Sequence, residues 1–396
     1  MYKELKTLYG LPLHVEFCKK CTISNMRPNS EVEFTHTADT QKKTIHFENG
    51  VCDACRLAEQ KKNIDWDVRE AQLKKLCDRF RKNNGEYDVL VPGSGGKDSV
   101  YAAHIMKEMG MNVLTCTWSP HGYTPWGREN HDAWLQDFDN ILVTPKGKTH
   151  RLLSRLAVDN LLHIFQPFVL GQKNLAPKIA AAHGIKLVMF GENESEYGNP
   201  IADAGKAKRD AKYYSIDNKK DIYLGGVSLD EIMQRYNVPL SDLSLYLPPP
   251  FNEDIEVHYA GYYKHWHPQS CYYFATEHGF KPSPERTPGT YSKYNSIDDF
   301  VDDYHYYGTY IKFGIGRATY DSAQEIRSGD LTREEGVALV KKYDGEYPAR
   351  FEKEIFDYLN VDGFPKYDRE SFLAHCETFK SSHLWDGDKL RYSVYA

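Results

Sequence analysis

Residues 91–99 read Val-Pro-Gly-Ser-Gly-Gly-Lys-Asp-Ser, and this stretch decides the class of the fold. It follows an apolar run, residues 87–91, and precedes residues 100–107, whose pattern predicts a helix. A strand that ends in a glycine-rich turn and opens a helix directs unpaired N–H groups and the positive end of the helix dipole at one point. That point suits a phosphate, so the stretch predicts a phosphate-binding loop within an α/β domain.

The side chains of this loop are those that a polyphosphate needs. Its glycines let the backbone close on an anion without a Cβ in the way, and its serines add hydroxyl donors. Lys97 adds a positive charge, while Asp98 suits a metal ion or the orientation of a neighbouring lysine. The predicted phosphate-binding residues are Ser94, Gly95, Gly96, Lys97, Asp98 and Ser99.

The loop does not follow the Walker A pattern, G-x-x-x-x-G-K-[ST]. Val91 stands where the first glycine belongs, and Asp98 stands where Ser or Thr should follow the lysine. The loop instead resembles the SGGxDS loop of the ATP pyrophosphatases, which include asparagine, GMP and NAD synthetases and several tRNA-modifying ligases. This resemblance implies attack on the α-phosphate of ATP, an adenylated intermediate and the release of pyrophosphate.

Length and composition exclude several classes of protein. The chain has 396 residues, enough for two or three domains with an ample core. Its 50 basic and 56 acidic residues give no signature of polyanion binding, so we expect no nucleic-acid partner. Since no signal peptide or run of about 18 apolar residues is visible, we expect a cytoplasmic protein without a membrane partner. The 8 cysteines then indicate reduced thiols and metal ligation rather than disulfides.

Four of the cysteines form two C-x-x-C pairs, Cys18 with Cys21 and Cys52 with Cys55. Each pair is a chelating knuckle, and together they supply the tetrahedral thiolate set that Zn²⁺ prefers. Four cysteine ligands leave no open position for a substrate, so we predict a structural zinc that stabilises a polar segment with little core of its own. An iron–sulfur cluster and four unrelated thiols are the alternatives.

From about residue 88 the chain alternates between short apolar runs and helical patterns. The predicted strands cover residues 87–91, 112–118, 140–143 and 186–190, and the predicted helices lie near 100–109, 130–138, 151–165 and 174–183. Short apolar strands separated by helices predict a parallel sheet with both faces covered. Ligands of such sheets lie beyond the carboxyl ends of the strands.

Three segments are predicted along the chain. Residues 1–60 form the zinc module, residues 61–225 the α/β domain, beginning with a helical linker, and residues 226–396 a mostly helical, aromatic-rich region for substrate or partner contacts. The aromatic side chains of this last region suit either sugar stacking or an ordinary core. Within it, Thr332 and Glu335 predict a capping box that begins a helix.

Polar segments follow the second and fourth predicted strands and therefore share the edge of the sheet with the phosphate-binding loop. The substrate candidates in these segments are His121, Arg128, Asn130, Glu192 and Asn193, and Arg317, in the separate segment 314–319, is a candidate anion contact. Each of them could equally be a solvated surface residue, and Glu192 with its acidic neighbours also suits Mg²⁺. Lys206 and Lys208 belong to a short basic cluster that fits either a polyphosphate clamp or a solvated loop.

Several features together resemble the N-acetyl sugar amidotransferases, the WbpG/PseA-like bacterial enzymes that install acetamidino groups on surface-polysaccharide or flagellin sugars. The resemblance covers nearly the whole chain and rests on the cysteine knuckles, the SGGKDS loop and residues 118–130, 191–193, 284–294, 311–319 and 331–348. It implies that the α/β domain is an ATP pyrophosphatase of the adenine nucleotide hydrolase-like type. It also implies a role in the synthesis of lipopolysaccharide O-antigens or nonulosonic acids.

The resemblance implies a mechanism that bond chemistry supports. The acetamido oxygen attacks the α-phosphate of ATP, pyrophosphate leaves, ammonia adds to the O-adenylyl imidate, and AMP departs to leave an amidine. Lys97 and Asp98 are the implied catalytic residues, with Mg²⁺ held partly by Asp98. Lys206 and Lys208 would add charge at the pyrophosphate. The implied substrate is an acetamido sugar, free or nucleotide-linked.

The chain shows no nucleophile of its own for releasing ammonia from glutamine. Tyr2 follows Met1, where a glutaminase of the asparagine synthetase kind has a cysteine. The cysteines outside the knuckles, namely Cys77, Cys116, Cys271 and Cys376, lie in apolar or helical contexts. We therefore predict a separate glutaminase subunit, as the family resemblance also implies.

Two other functions remain open at this point. Some tRNA thiolases also join zinc knuckles to an SGGxDS loop, and Cys116 is the obvious candidate for carrying sulfur. The acidic balance of charge counts against a tRNA substrate. A scaffold that binds nucleotide without turnover is the third possibility, against which the intact loop argues.

Overall fold

The computed structural model describes residues 5–29, 33–120, 122–191, 196, 206–216 and 221–395. The N-terminal module contains a short antiparallel hairpin followed by a helix. Its elements are β1 (Phe47–Glu48), β2 (Val51–Cys52) and α1 (Asp53–Lys61), and α2 (Trp66–Phe80) leads to the sheet. The predicted linker helix is therefore α2, which begins at Trp66 because the Asp65 side chain accepts hydrogen bonds from the backbone N–H groups of Asp67 and Val68.

Strands and helices then alternate. The elements are β3 (Val89–Pro92), α3 (Lys97–Glu108), β4 (Val113–Trp118), α4 (Pro125–Trp134), β5 (Asp139–Val143), α5 (Gly147–Leu161), α6 (Gln166–Ala182) and β6 (Leu187–Phe190). All four predicted strands are present. The helices differ at their ends: α4 begins earlier than predicted because Pro125 follows Thr124, whose side chain accepts a hydrogen bond from the Gly127 N–H.

The remaining elements are mostly helical. They are β7 (Tyr223–Leu224), β8 (Val227–Ser228), α7 (Leu229–Arg235), α8 (Leu240–Leu243), β9 (Glu256–Tyr259), α9 (Ala260–Tyr263), α10 (Pro268–Glu277), α11 (Val301–Phe313), α12 (Arg317–Ser328), α13 (Arg333–Tyr343), α14 (Glu352–Leu359), α15 (Arg369–Glu377), β10 (Trp385–Asp386) and β11 (Lys389–Leu390). The predicted capping box of Thr332 and Glu335 is present at the start of α13.

A five-stranded parallel sheet lies at the centre, in the order β5-β4-β3-β6-β9. Successive residues of β3 are buried on opposite faces. Leu90 packs in one apolar cluster with Val188, whereas Val89 and Val91 pack in another with Leu187. Burial on both faces explains the continuous apolar strands and confirms the predicted α/β class with a parallel sheet.

The fifth strand, β9, is not among the predicted strands. It lies in the segment predicted to be mostly helical, yet it pairs with β6 from Leu187 opposite Glu256 to Phe190 opposite Tyr259. Only four residues long and far along the chain, it gives too short a pattern to be distinguished from a helix segment. The other elements after it confirm a helical C-terminal region. Within the described ranges, no helix has the length and apolarity needed to cross a bilayer.

Candidate functional site

The phosphate-binding loop lies where the order of the strands reverses. From β3 the chain moves outward to β4 and β5 on one side, and later to β6 and β9 on the other. The loop follows β3, and Gly191 follows the adjacent β6. In open parallel sheets, the crevice beyond the carboxyl ends of two such strands is where ligands bind.

Two glycines allow the loop to pack closely against its neighbours. Gly95 has φ +86°, and a Cβ there would lie 2.5 Å from the carbonyl oxygen of Asn130. A Cβ on Gly191 would lie 2.6 Å from the carbonyl oxygen of Asp98. Larger side chains would therefore displace the loop, which explains the glycines at these positions.

The predicted catalytic residues lie together at the start of α3. Lys97 and Asp98 form an ion pair, and the indole N–H of Trp266 donates to Asp98 Oδ1 at 2.8 Å. The Lys97 ammonium also lies 5.8 Å from the centre of the Trp266 ring. Trp266 is a site residue that the sequence did not predict, because it lies 168 residues from Asp98 and belongs to no motif.

The loop hydroxyls have defined partners. Ser94 donates to Asp298 Oδ2 at 2.8 Å, and Ser99 donates to the carbonyl oxygen of Gly96 at 2.9 Å. The first contact joins the loop to a segment about two hundred residues further along the chain. Because α3 begins at Lys97, the first N–H groups of this helix lack intrahelical acceptors and are available to an anion.

A cavity of about 450 Å³ opens beside the loop, within the size range of small-molecule sites. The residues that line it come from three parts of the chain. They include Arg27 from the N-terminal module, Ser94, Gly96, Lys97, Asp98 and Asn130 from the α/β part, and Tyr294, Asp298, Asp302, His305, Tyr306, Arg317, Tyr320, Asp321 and Gln324 from the C-terminal part. The loop and the helical region thus share one cavity.

Arg317 is the substrate candidate whose charged group lies at this cavity. It forms an ion pair with Asp321 at 3.0 Å, and its guanidinium lies 4.3 Å from the centre of the Tyr306 ring. Burial raises the pKa of neighbouring Asp302 to about 6, an effect that the charge of Arg317 partly offsets. This corner of the cavity therefore combines a buried cation, carboxyl groups and an aromatic face.

Asn130 and Arg128 have different positions. Asn130 lines the cavity, but its amide is engaged twice by Lys281, donating to the carbonyl oxygen at 2.9 Å and accepting from the N–H at 2.8 Å. It therefore holds that segment in place. Arg128 is about half exposed, pairs with Asp132 at 3.1 Å, and is not among the residues that line the cavity.

The remaining candidates lie away from the loop or outside the described residues. The ammonium of Lys208 pairs with Glu256 on β9 at 2.8 Å and is more than half exposed. Lys206 is also exposed, and neither lysine is among the described residues that line the cavity. His121, Glu192 and Asn193 lie outside the residues that the structure describes.

Asp299, next to the loop partner Asp298, is a buried carboxyl group. It accepts a hydrogen bond from the Val301 N–H at 3.0 Å. Burial raises its pKa to about 8, and the charges of Asp298 and Asp302 act in the same direction. Folded Asp299 thus keeps its proton up to about pH 8, whereas an unfolded aspartate loses it near pH 3.9.

We expect Asp299→Asn to reduce the loss of stability at high pH. Between those two pKa values the native state binds more protons at this residue, so its contribution to the free energy of unfolding falls as the pH rises. The melting temperature of the wild type should decline from about pH 5 to about pH 9, and that of the variant should decline less. Thermal melts across this range measure the difference, with exposed Asp78→Asn as the control. Parallel curves for wild type and D299N would contradict the prediction.

The four knuckle cysteines converge as predicted. Their sulfur atoms all lie within 4.8 Å of one another and are buried, with Cys18–Cys55 and Cys21–Cys52 separations of 3.8 Å. A tetrahedron with Zn–S bonds of about 2.3 Å has edges of about 3.8 Å, so the cluster fits such an ion. The backbone N–H groups of Lys20 and Cys52 also donate to Cys18 Sγ at 3.4 Å, which stabilises a thiolate. The cluster could hold a metal ion such as zinc.

The cysteine module packs against the C-terminal region. One apolar cluster contains all four cysteines together with Phe313, Ile315 and Trp385. Across the same interface the hydroxyls of Thr22 and Ser322 are hydrogen-bonded at 2.9 Å. The module therefore shares its core with helices that line the cavity.

The described chain is thus an α/β protein with a glycine-rich loop at the reversal point of its parallel sheet and a four-cysteine cluster packed against its helical region. Residues 288–396 match the family model of the LPS biosynthesis protein WbpG-like, C-terminal domain. This match confirms the predicted WbpG-like resemblance for residues 288–396, which are similar to the WbpG-like C-terminal domain.

Other comparisons are more distant. No curated protein sequence matches the chain significantly. The solved structure of NMN synthetase from Francisella tularensis is similar at 10% sequence identity with a TM-score of 0.30, over 77% of this chain and 100% of that chain.

Proposed function

We propose that this protein is an ATP-dependent amidotransferase that converts an acetamido group of a bacterial surface sugar into an acetamidino group. The observation that carries this proposal is the shared cavity, because the SGGKDS loop forms one part of its wall and residues of the WbpG-like domain form another. The loop suits the phosphates of ATP, and the WbpG-like residues supply the aromatic and polar groups that bind a sugar.

The proposed reaction assigns a role to each group of the loop. The acetamido oxygen attacks the α-phosphate, the bond to the leaving pyrophosphate breaks, and ammonia then displaces AMP from the imidate carbon. N–H groups of Gly95 and Gly96 bind the departing pyrophosphate, the serine hydroxyls join them by turning away from Asp298 and the Gly96 carbonyl oxygen, and Lys97 neutralises its charge. A carboxylate together with substrate phosphates is the usual ligand set of Mg²⁺, which fits Asp98 and would supply further positive charge. No general base is required, since the amide oxygen is itself the nucleophile.

The proposal includes a structural zinc in the four-cysteine cluster and a separate glutaminase subunit that supplies the ammonia. Four thiolate ligands leave no open position on the metal, so its contribution is to the stability of the module. Turnover of glutamine by the purified chain alone, at a rate comparable to that with ammonium salts, would contradict the separate subunit.

Pyrophosphate and AMP release from Mg-ATP and ammonium chloride tests the proposal. The assay is run over a panel of acetamido sugars and their nucleotide-linked forms. We expect release that depends on one sugar, and a product about one mass unit lighter because NH replaces oxygen. Bound ATP without release on any member of the panel would contradict the amidotransferase, and tRNA would then be tested.

Cys116→Ala separates this function from that of a tRNA thiolase. Cys116 is fully buried in β4, and burial raises the pKa of its thiol, so it lacks the exposure and the thiolate character of a sulfur carrier. We expect C116A to keep at least about half of the wild-type rate and to lose about 1 kcal/mol of stability through the small cavity created. Sugar-dependent pyrophosphate release and a melting curve measure both effects. Loss of tRNA-dependent turnover in a folded C116A variant, with no sugar-dependent release by the wild type, would favour the thiolase.

A further inference from the structure

Arg27 is a buried cation at the wall of the cavity. It lies between the two cysteine pairs in sequence, and 7% of its surface is exposed. Its Nε and Nη1 groups are buried without a hydrogen-bond partner, and it forms no ion pair with any residue in the described ranges. Its guanidinium lies 5.1 Å from the centre of the Tyr320 ring, on helix α12 of the WbpG-like domain.

Among the described residues that line the cavity, the other two cationic side chains each have a carboxylate partner within the protein. Lys97 is paired with Asp98, and Arg317 is paired with Asp321. A buried guanidinium without a carboxylate is destabilising, because the charge has left water without gaining a counter-charge, unless a ligand provides the negative charge. The Tyr320 ring lies against the guanidinium of Arg27 and accepts no hydrogen bond from it. The unpartnered N–H groups of Arg27 are therefore available to an oxyanion.

Arg27 reaches the cavity from the cysteine module. It shares that part of the wall with Tyr320 and Gln324, whose side chains carry polar groups able to hydrogen-bond a ligand. The same two residues and Arg27 also border a small cleft that extends to Cys52. The phosphate-binding loop already supplies Lys97 and backbone N–H groups for the pyrophosphate. Arg27, which belongs to the cysteine module, is therefore suited to bind a different anionic group in the same cavity.

We propose that Arg27 binds an anionic group of the acetamido substrate, a phosphate or a carboxylate, and that the cysteine module is one wall of the substrate site. This inference rests on the proposed function and specifies its substrate as a charged sugar. The four-cysteine cluster then positions a specificity-determining residue, in addition to stabilising its own segment.

Equilibrium binding tests this role without requiring turnover. The probes are neutral N-acetylglucosamine, its 1-phosphate, its UDP-linked form and N-acetylglucosaminuronic acid, titrated calorimetrically into the full chain with zinc bound. We expect the wild type to bind the anionic probes at least about tenfold more tightly than the neutral sugar, as a charged hydrogen bond allows. The probe that gains most distinguishes phosphate from carboxylate.

Arg27→Gln should remove this preference, and Arg27→Lys should retain part of it. Arg56→Gln is the matched control, because Arg56 belongs to the same module but pairs with Glu48 and Asp53 and does not line the cavity. Zinc content and melting temperature confirm that each variant is folded. A purely structural arginine would affect neutral and anionic probes alike.

Three results would overturn the inference. They are an unchanged preference in R27Q, an equal loss of affinity for the neutral sugar, and a loss confined to ATP. If R27Q does not fold, R27K takes its place, and an equal weakening of neutral and anionic probes by R27K would have the same meaning. Failure of the wild type to bind any acetamido probe would instead count against the proposed function itself.

Discussion

Asp98→Ala should abolish sugar-dependent pyrophosphate release while leaving the protein folded. Asp98 lies in the first turn of α3, paired with Lys97 and hydrogen-bonded to Trp266. Its carboxylate orients the lysine and, in the proposed reaction, holds part of the Mg²⁺ that neutralises pyrophosphate. Loss of groups that stabilise charge in a transition state lowers kcat by about 10²–10³ each, so we expect a fall of at least about 10³.

The measurement for this variant combines turnover with stability. Removing the acceptor of the Trp266 N–H costs about 1–3 kcal/mol, which lowers the melting temperature by several degrees at most. Asp78→Ala removes an exposed carboxylate of α2 that pairs with Arg81 and should change neither property. A melting curve of D98A shifted far downward would make Asp98 a structural residue.

Cys52→Ser should eliminate metal binding and destabilise the N-terminal module. Cys52 Sγ lies 3.8 Å from Cys21 Sγ inside the buried cluster. A serine hydroxyl binds a metal ion such as zinc much more weakly than a cysteine thiolate does. Loss of a structural metal belongs to the largest single-residue effects, so we expect a loss of about 4 kcal/mol or more. Elemental analysis should give about one zinc per wild-type chain and about none in the variant.

A matched cysteine elsewhere separates metal loss from general damage to the core. Cys271 is fully buried in α10 but lies outside the four-cysteine cluster. Cys271→Ser should keep the metal and be less destabilised than C52S. Unchanged metal content in C52S would refute the four-thiolate site, and iron in place of zinc would support the iron–sulfur alternative.

The sequence predicts those parts of the site whose residues are close together along the chain. The glycine-rich loop, the two cysteine pairs and the capping box of Thr332 each lie within a few consecutive residues, so their spacing alone predicts their geometry. The cavity depends instead on contacts between distant segments. Arg27 reaches the cavity, and Trp266 reaches Asp98 at the cavity wall, through tertiary packing that no local pattern records.

Arg128 shows the opposite case. Because Arg128 follows a predicted strand, the sequence predicts that it lies at the same edge of the sheet as the phosphate-binding loop. Because Thr124 and Pro125 begin α4 early, Arg128 lies on the first turn of that helix and pairs with Asp132 at the surface. The helix cap at Thr124 therefore places Arg128 on the surface of α4, whereas the strand order alone predicts a position near the loop.

The pairing of β9 with β6 has a consequence for how the chain is made. On the ribosome β6 emerges well before β9, and its outer edge remains unpaired until the later segment has been synthesised. Open strand edges recruit other chains, so during this interval the nascent protein exposes an additional template for aggregation. A fragment that stopped near residue 225 would retain that open edge permanently, because the strand that closes it belongs to the helical half of the sequence.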